Sequence, residues 1–198
     1  MSDPAARKKA EVRAVVLARR ATRGEADQSA AATALADRVL ELPELRTAAC
    51  VAGYVSTVGE PGTGPLLIAL RRRGVRVLLP LLRRDFDLDW AELTDPADLQ
   101  PGRFGILEPA GPPLGVDAVL DADVAICPGI AADLTGHRLG RGGGSYDRVL
   151  ARVGSASLRC LLLYDDEVLD DVPRHDHDQE VDLVVTPSRV VRAAANRP

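Results

Sequence analysis

An α/β domain built on a mostly parallel sheet is the architecture this sequence predicts, and three observations carry that reading. Short apolar runs rich in β-branched residues alternate with segments of helical periodicity. Those runs are bounded by polar turns and read as buried strands. The chain has 198 residues, 46% hydrophobic and 27% charged, which suits one soluble domain, 1–198, around a single core. It contains no internal repeat, and no linker divides it.

In chain order, Pro4 to Arg20 reads as a helix, with Val12, Val15 and Val16 forming an apolar face and Lys8, Arg13 and Arg20 among the polar positions. A second helix follows Gly24, with Ala32, Leu35 and Val39 at helical spacing. Ala48 to Ser56 is a buried strand. Pro65 to Gly74 is a helix stopped by its glycine, and VRVLLP is the next strand. In RRDFDLDWAEL, Phe86, Leu88 and Trp90 alternate with aspartates, the period-two mark of a half-exposed strand. The Pro- and Gly-rich stretch DPADLQPGRFGILEPAGPPLG is expected to be extended loop. Ala122–Gly129, Leu158–Tyr164 and Val181–Pro187 are further buried strands, and a short terminal helix is expected after them.

Charge and composition narrow the function. A net charge of -4 gives no global attraction to nucleic acid or anionic membrane, so an anionic ligand needs a local cationic site. With aromatics at 3%, stacking platforms for RNA are scarce, and Arg71 to Arg73 read as a solvated helix end. No apolar run approaches the length of a membrane span. The N-terminal residues MSDPAARKKAEVR show no apolar leader, and a cytoplasmic protein is expected. Cys50, Cys127 and Cys160 lie far apart in apolar stretches, where they read as small buried hydrophobes rather than disulfide or zinc ligands. Of the 25 basic residues only Lys8 and Lys9 are lysines. Either the genome favours arginine codons, or one lysine does what a planar guanidinium cannot.

The chemistry concentrates in CPGIAADLTGHRLGRGGGSYDRVL, Cys127 to Leu150. This segment leaves a strand, crosses a polar loop and enters a helix at about Gly144 to Asp147. Five glycines and two arginines lie between Gly136 and Gly144. Glycines let backbone N–H groups approach an oxyanion, and the helix start adds partial positive charge. Arg138 and Arg141 offer forked donors to phosphate oxygens. Asp147 is a nearby carboxylate able to help hold a metal ion. Neither the Walker A string nor the Rossmann fingerprint fits, since the loop has no lysine and Ser145 falls where the last glycine would stand. His175 and His177, in RHDHDQ, offer a second metal reading with no third soft ligand nearby in sequence.

The string RLGRGGGSYDR, preceded by Pro128, Gly129 and Asp133, resembles the 5-formyltetrahydrofolate cyclo-ligases (methenyltetrahydrofolate synthetases). The resemblance runs along the chain: Lys9 and Arg13 as a K-x-x-x-R pair, YVSTVGEPGT, VRVLLP, FGILEP and HDQEVDLVVTP. It departs at three places. Ala132 stands where phenylalanine is often found, Ser145 where many members carry a tyrosine, and Glu167 where glutamine is common.

The resemblance implies a three-layer domain of the sugar-phosphate isomerase and CoA-transferase type. It implies an ATP- and Mg²⁺-dependent ring closure of 5-formyltetrahydrofolate to 5,10-methenyltetrahydrofolate, with ADP and phosphate released and no protein nucleophile. The residues implied for ATP are Lys9, Arg13, Arg138, Leu139, Gly140, Arg141, Gly142, Gly143, Gly144, Ser145 and Tyr146. Val55, Glu60 and the loop from Arg141 through Gly142, Gly143 and Gly144 to Ser145 are implied for the folate. Arg141 would stabilise charge on the transferring phosphoryl group, and Asp147 and Asp178 would hold Mg²⁺. Small molecules are the expected partners, with no nucleic acid or membrane, and a monomer is expected. A non-catalytic module that keeps the nucleotide or folate site is the alternative, and another enzyme of the same fold a second.

Overall fold

A computed structural model describes residues 3–193. Helix α1 (Pro4–Ala21) starts where Asp3 accepts a hydrogen bond from Ala5 N at 2.9 Å, with Pro4 in the first turn. Val16 is buried and Val12 packs beside it against Ile130 and Leu139, but Val15 faces outward. Arg20, expected among the polar positions, is only 2% exposed because Glu167 receives it in a two-pronged ion pair, Nε–Oε1 and Nη2–Oε2 both 2.7 Å. Helix α2 (Glu25–Leu40) buries Ala32, Leu35 and Val39 as the spacing predicts. A short α3 (Pro43–Thr47) leads to β1 (Cys50–Ala52).

Helix α4 (Gly64–Arg72) ends at Gly74, whose φ of 76° lets Gly74 N and Val75 N turn back onto Arg71 O and Leu70 O. Strands β2 (Arg76–Leu82) and β3 (Leu88–Glu92) follow. Within the expected loop, β4 (Gln100–Pro101) and β5 (Leu107–Glu108) pair as a small hairpin. Then come β6 (Val124–Pro128), β7 (Ala131–Asp133), β8 (Arg138–Leu139), α5 (Ser145–Arg152), β9 (Leu158–Leu162), β10 (Val168–Leu169), β11 (Leu183–Val185) and β12 (Val190–Arg192).

The main sheet runs β12-β11-β9-β6-β1-β2-β3, and its five central strands are parallel. Both edge strands are antiparallel to their neighbours. Side chains alternate between two cores, as the period of two requires. Val51, Val77, Leu79, Ile126, Cys160 and Leu162 meet α2 and α4 on one face. Ala52, Leu78 and Ala125 pack with Val149 and Val153 on the other, where Cys127 and Leu161 meet Leu150. Three layers result, and each fully buried leucine or valine contributes about 1.5–3 kcal/mol.

Two expectations are corrected. The expected terminal helix gives way to β12, because Val190 and Val191 extend the sheet against Val185 and Val184; residues from 194 lie outside those described. The half-exposed strand starts only at Leu88. Phe86 sits in a left-handed turn at φ 62°, while Leu88 and Trp90 are both buried.

Candidate functional site

Chain order reverses between β1 and β6: β1 leads outward to β2, and β6 leads the other way to β9. In open α/β sheets the carboxyl ends of strands at such a switch point frame a crevice. Here Tyr54 and Val55, just beyond β1, and Pro128 and Gly129, at the end of β6, line a cleft of about 770 Å³. The turn from β8 into α5 supplies Arg138 to Asp147 along one side, and α1 lays Lys9 and Arg13 over it.

Gly142 and Gly144 have φ of 104° and 69°, a conformation that strains any residue with a Cβ. Gly144 caps α5, and the N–H groups from Gly142 to Gly144 donate to no other described residue. A turn of free donors at a helix start suits an anion. Arg13 holds the loop from above, its Nε donating to Gly140 O at 2.8 Å.

Three of the cleft's cations are paired with its carboxylates. Lys9 Nζ lies 2.5 Å from Asp178 Oδ2, Arg138 Nη2 is 2.6 Å from Asp147 Oδ1, and Arg141 Nη2 is 3.0 Å from Glu60 Oε1. Lys9, Arg138 and Glu60 are buried, whereas Arg141 is half exposed. Burial pushes the Asp178 carboxyl up, but the ammonium of Lys9 and the His175 backbone N–H outweigh it and hold the group below the usual carboxylate range. Glu60 Oε2 also accepts from Thr57 N at 2.8 Å, which fixes the carboxylate on its tight turn.

Every site residue named from the sequence lines this one cleft: Lys9, Arg13, Val55, Glu60, Arg138 through Asp147, and Asp178. Lys9, not Lys8, is the lysine inside. Asp147 and Asp178 both line the cleft and are hard oxygen donors of the kind Mg²⁺ prefers, alongside water and phosphate oxygens. The histidine-metal reading fares worse. Donor atoms of His175, His177 and Asp178 lie within 4.8 Å of one another. Yet His175 has both ring nitrogens engaged within the protein, Nδ1 with Lys9 at 2.9 Å and Nε2 with Asp3 at 2.7 Å.

Sequence reasoning missed Tyr54, Thr57, Phe86, Phe104 and Glu108, which also line the cleft. Phe86 and Phe104 stack with ring centroids 6.3 Å apart, and they are the non-glycine residues at positive φ among those described. Nothing in a local pattern announces two rings brought together from separate turns. Glu167, one of the departures, turns inward to Arg20 and caps Tyr164 N at 3.0 Å.

A mostly parallel sheet with a glycine turn of free donors, paired cations and carboxylates at its switch point has the build of an α/β enzyme with a cleft suited to an anionic ligand. More narrowly, the chain belongs to the 5-formyltetrahydrofolate cyclo-ligase family, whose model matches residues 5–187. A 5-formyltetrahydrofolate cyclo-ligase of Mycolicibacterium smegmatis is 35% identical over 192 residues, covering 94% of this chain and 97% of the relative. One from Escherichia coli K12 is 34% identical over 158 residues, 78% of this chain and 87% of its own. The solved 5,10-methenyltetrahydrofolate synthetase of Aquifex aeolicus superposes with a TM-score of 0.82 at 32% identity, covering 96% and 95% of the two chains. Among the described residues, no helix is long and apolar enough to cross a membrane.

Proposed function

We propose that this enzyme converts 5-formyltetrahydrofolate and ATP into 5,10-methenyltetrahydrofolate, ADP and phosphate, with Mg²⁺ required. The observation that carries the reading is the set of three cation–carboxylate pairs lining one cleft beside the glycine turn. Nucleotide phosphates would take over the cations, and a divalent ion the carboxylates.

In this reading the formyl oxygen attacks the γ-phosphorus and ADP leaves, giving an imidate phosphate. N10 then adds to the activated carbon, gives up its proton, and expels phosphate to close the five-membered ring. This needs no protein nucleophile, so the residues act by holding and by stabilising charge. The backbone from Gly140 to Gly144, with Leu139, Ser145 and Tyr146, cradles the phosphates, and Lys9, Arg13 and Arg138 neutralise them. Arg141, the most exposed of the cleft's paired cations, meets the transferring phosphoryl group. Glu60 and Val55 contact the folate, as do Gly142 to Ser145. Asp147 and Asp178 hold Mg²⁺, which screens phosphate charge when bound. Both substrates are soluble anions, in keeping with a monomeric cytoplasmic enzyme.

ADP release tests the reading. It should depend on added 5-formyltetrahydrofolate and match product one for one. Asp178→Asn should shift half-saturation by Mg²⁺ upward at least about tenfold, ~1.4 kcal/mol; an unchanged Mg²⁺ dependence removes Asp178 as a ligand. ADP release indifferent to the folate would contradict the coupled reaction.

A further inference from the structure

Of the three tyrosines, one is satisfied: Tyr164 donates its hydroxyl to Glu60 O at 3.2 Å. The hydroxyls of Tyr54 and Tyr146 are covered from solvent and have no hydrogen-bond partner among the described residues. Both residues line the cleft, and Tyr54 is only 3% exposed. A buried hydroxyl without a partner is costly, and such groups in a binding cleft point to a ligand atom that completes them.

The neighbours define what that atom must be. Tyr54 feels the charges of Glu60 and Arg20 and the groups of Tyr146 and Cys127, and Tyr146 feels Arg138. Two further orphaned atoms belong to those same neighbours, Arg20 Nη1 and Arg138 Nε, and both are donors. The carboxylates nearby are already engaged: Glu60 has Oε1 on Arg141 and Oε2 on Thr57 N, Glu167 holds Arg20 with both oxygens, and Asp147 Oδ1 holds Arg138. Burial pushes both phenols well above their usual range, so they stay protonated and can donate at every working pH. A region rich in donors, whose carboxylates are engaged, calls for an acceptor.

We propose that Tyr54 donates a hydrogen bond to a carbonyl oxygen of the formyl-pteridine and so selects the folate. This rests on the functional reading above and adds to it a specificity-determining residue outside the glycine turn. The folate offers two such oxygens, one on the formyl group and one on the ring. Because the hydroxyl has no partner among the described residues, Tyr54 contributes nothing to folding through it, and its loss separates binding from stability.

Calorimetric titration of wild type and Tyr54→Phe with 5-formyltetrahydrofolate, with 5-methyltetrahydrofolate and with ATP tests the assignment. The methyl compound lacks the formyl oxygen and keeps the ring carbonyl. The variant should melt at the wild-type temperature or above it. Its affinity for 5-formyltetrahydrofolate should fall at least about fivefold while ATP affinity stays unchanged. A loss confined to the formyl compound assigns the formyl oxygen; an equal loss for both assigns the ring carbonyl. Unchanged folate affinity, or a lowered melting temperature, would overturn the proposal. Wild-type protein that binds neither folate would overturn the functional reading and this inference with it.

Discussion

Arg141 is held at two points, by Glu60 Oε1 and by Thr57 Oγ1 at 3.2 Å, although half its side chain lies in solvent. A guanidinium so placed can exchange a carboxylate for a phosphoryl oxygen with little movement. Arg141→Ala should therefore lower kcat at least about tenfold, ~1.4 kcal/mol of transition-state stabilisation, with the fold intact by circular dichroism; near-normal kcat would remove its role. Lys9 makes the complementary case. Its ammonium sits between Asp178 and His175 with 6% of the residue exposed, a space for a compact charge rather than a planar fork. Lys9→Arg should raise the KM for ATP several-fold, and an unchanged KM would show that charge alone suffices. Lys9 and Arg13, the pair matched by the family resemblance, both line the cleft because helix geometry puts positions four apart on one face. Tyr54 was not legible: an orphaned hydroxyl exists only relative to neighbours from α1, the Glu60 turn and α5.

Helix α5 aims the glycine turn, and its far end is anchored by Arg152, which grips Asp87 with Nη1–Oδ1 at 2.8 Å and Nη2–Oδ2 at 2.5 Å. Arg148 adds a bond to Phe86 O at 2.7 Å, so the turn bearing the aromatic pair is tied to the same helix. The guanidinium of Arg152 holds the Asp87 carboxyl below the usual range, against the opposing effect of burial. The unfolded chain thus takes up that proton at higher pH than the folded one. The pair's contribution is complete above about pH 4 and is lost as pH falls through the depressed value. Asp87→Asn should cost about 1–2 kcal/mol in urea unfolding at pH 7, shrinking toward zero near pH 2–3; a cost independent of pH would rule the ion pair out. Elements with strong periodicity, α1, α2, α4 and the buried strands, were legible from sequence. The pairs β4–β5 and β7–β8 were not, because two- and three-residue strands carry no period. Strand β12 was missed because three residues pair only where β11 offers an edge.

Across the whole molecule, Glu60, Asp147 and Asp178 in the cleft are each partnered to a cation that, in the proposed function, phosphate would claim. Taking away the cations by ATP alone strands Asp147, Asp178 and Glu60 near new negative charge, which is costly in a partly buried site. In the proposed function Mg²⁺ would relieve that cost. ATP with Mg²⁺ should therefore raise Tm more than the same concentration of ATP with chelator; equal shifts would mean the carboxylates take no part. The mostly parallel α/β plan was legible because strands alternate with helices along the chain, and its three layers came with the family resemblance. The glycine turn with Arg138, Arg141 and Asp147 was legible because it is one contiguous string, whereas Lys9, Arg13, Glu60 and Asp178 came with the family resemblance. The site's apolar half, assembled from Pro80, Leu82, Phe86, Phe104 and Ile106, depends on how β2, β3 and the β4–β5 hairpin converge. The central claim is the coupled ring closure, and the appearance of the conjugated methenyl product by absorbance at mildly acidic pH tests it most directly. Purified protein should form that product from 5-formyltetrahydrofolate only when ATP and Mg²⁺ are both present. Folded protein that binds ATP yet forms none under those conditions would contradict the account.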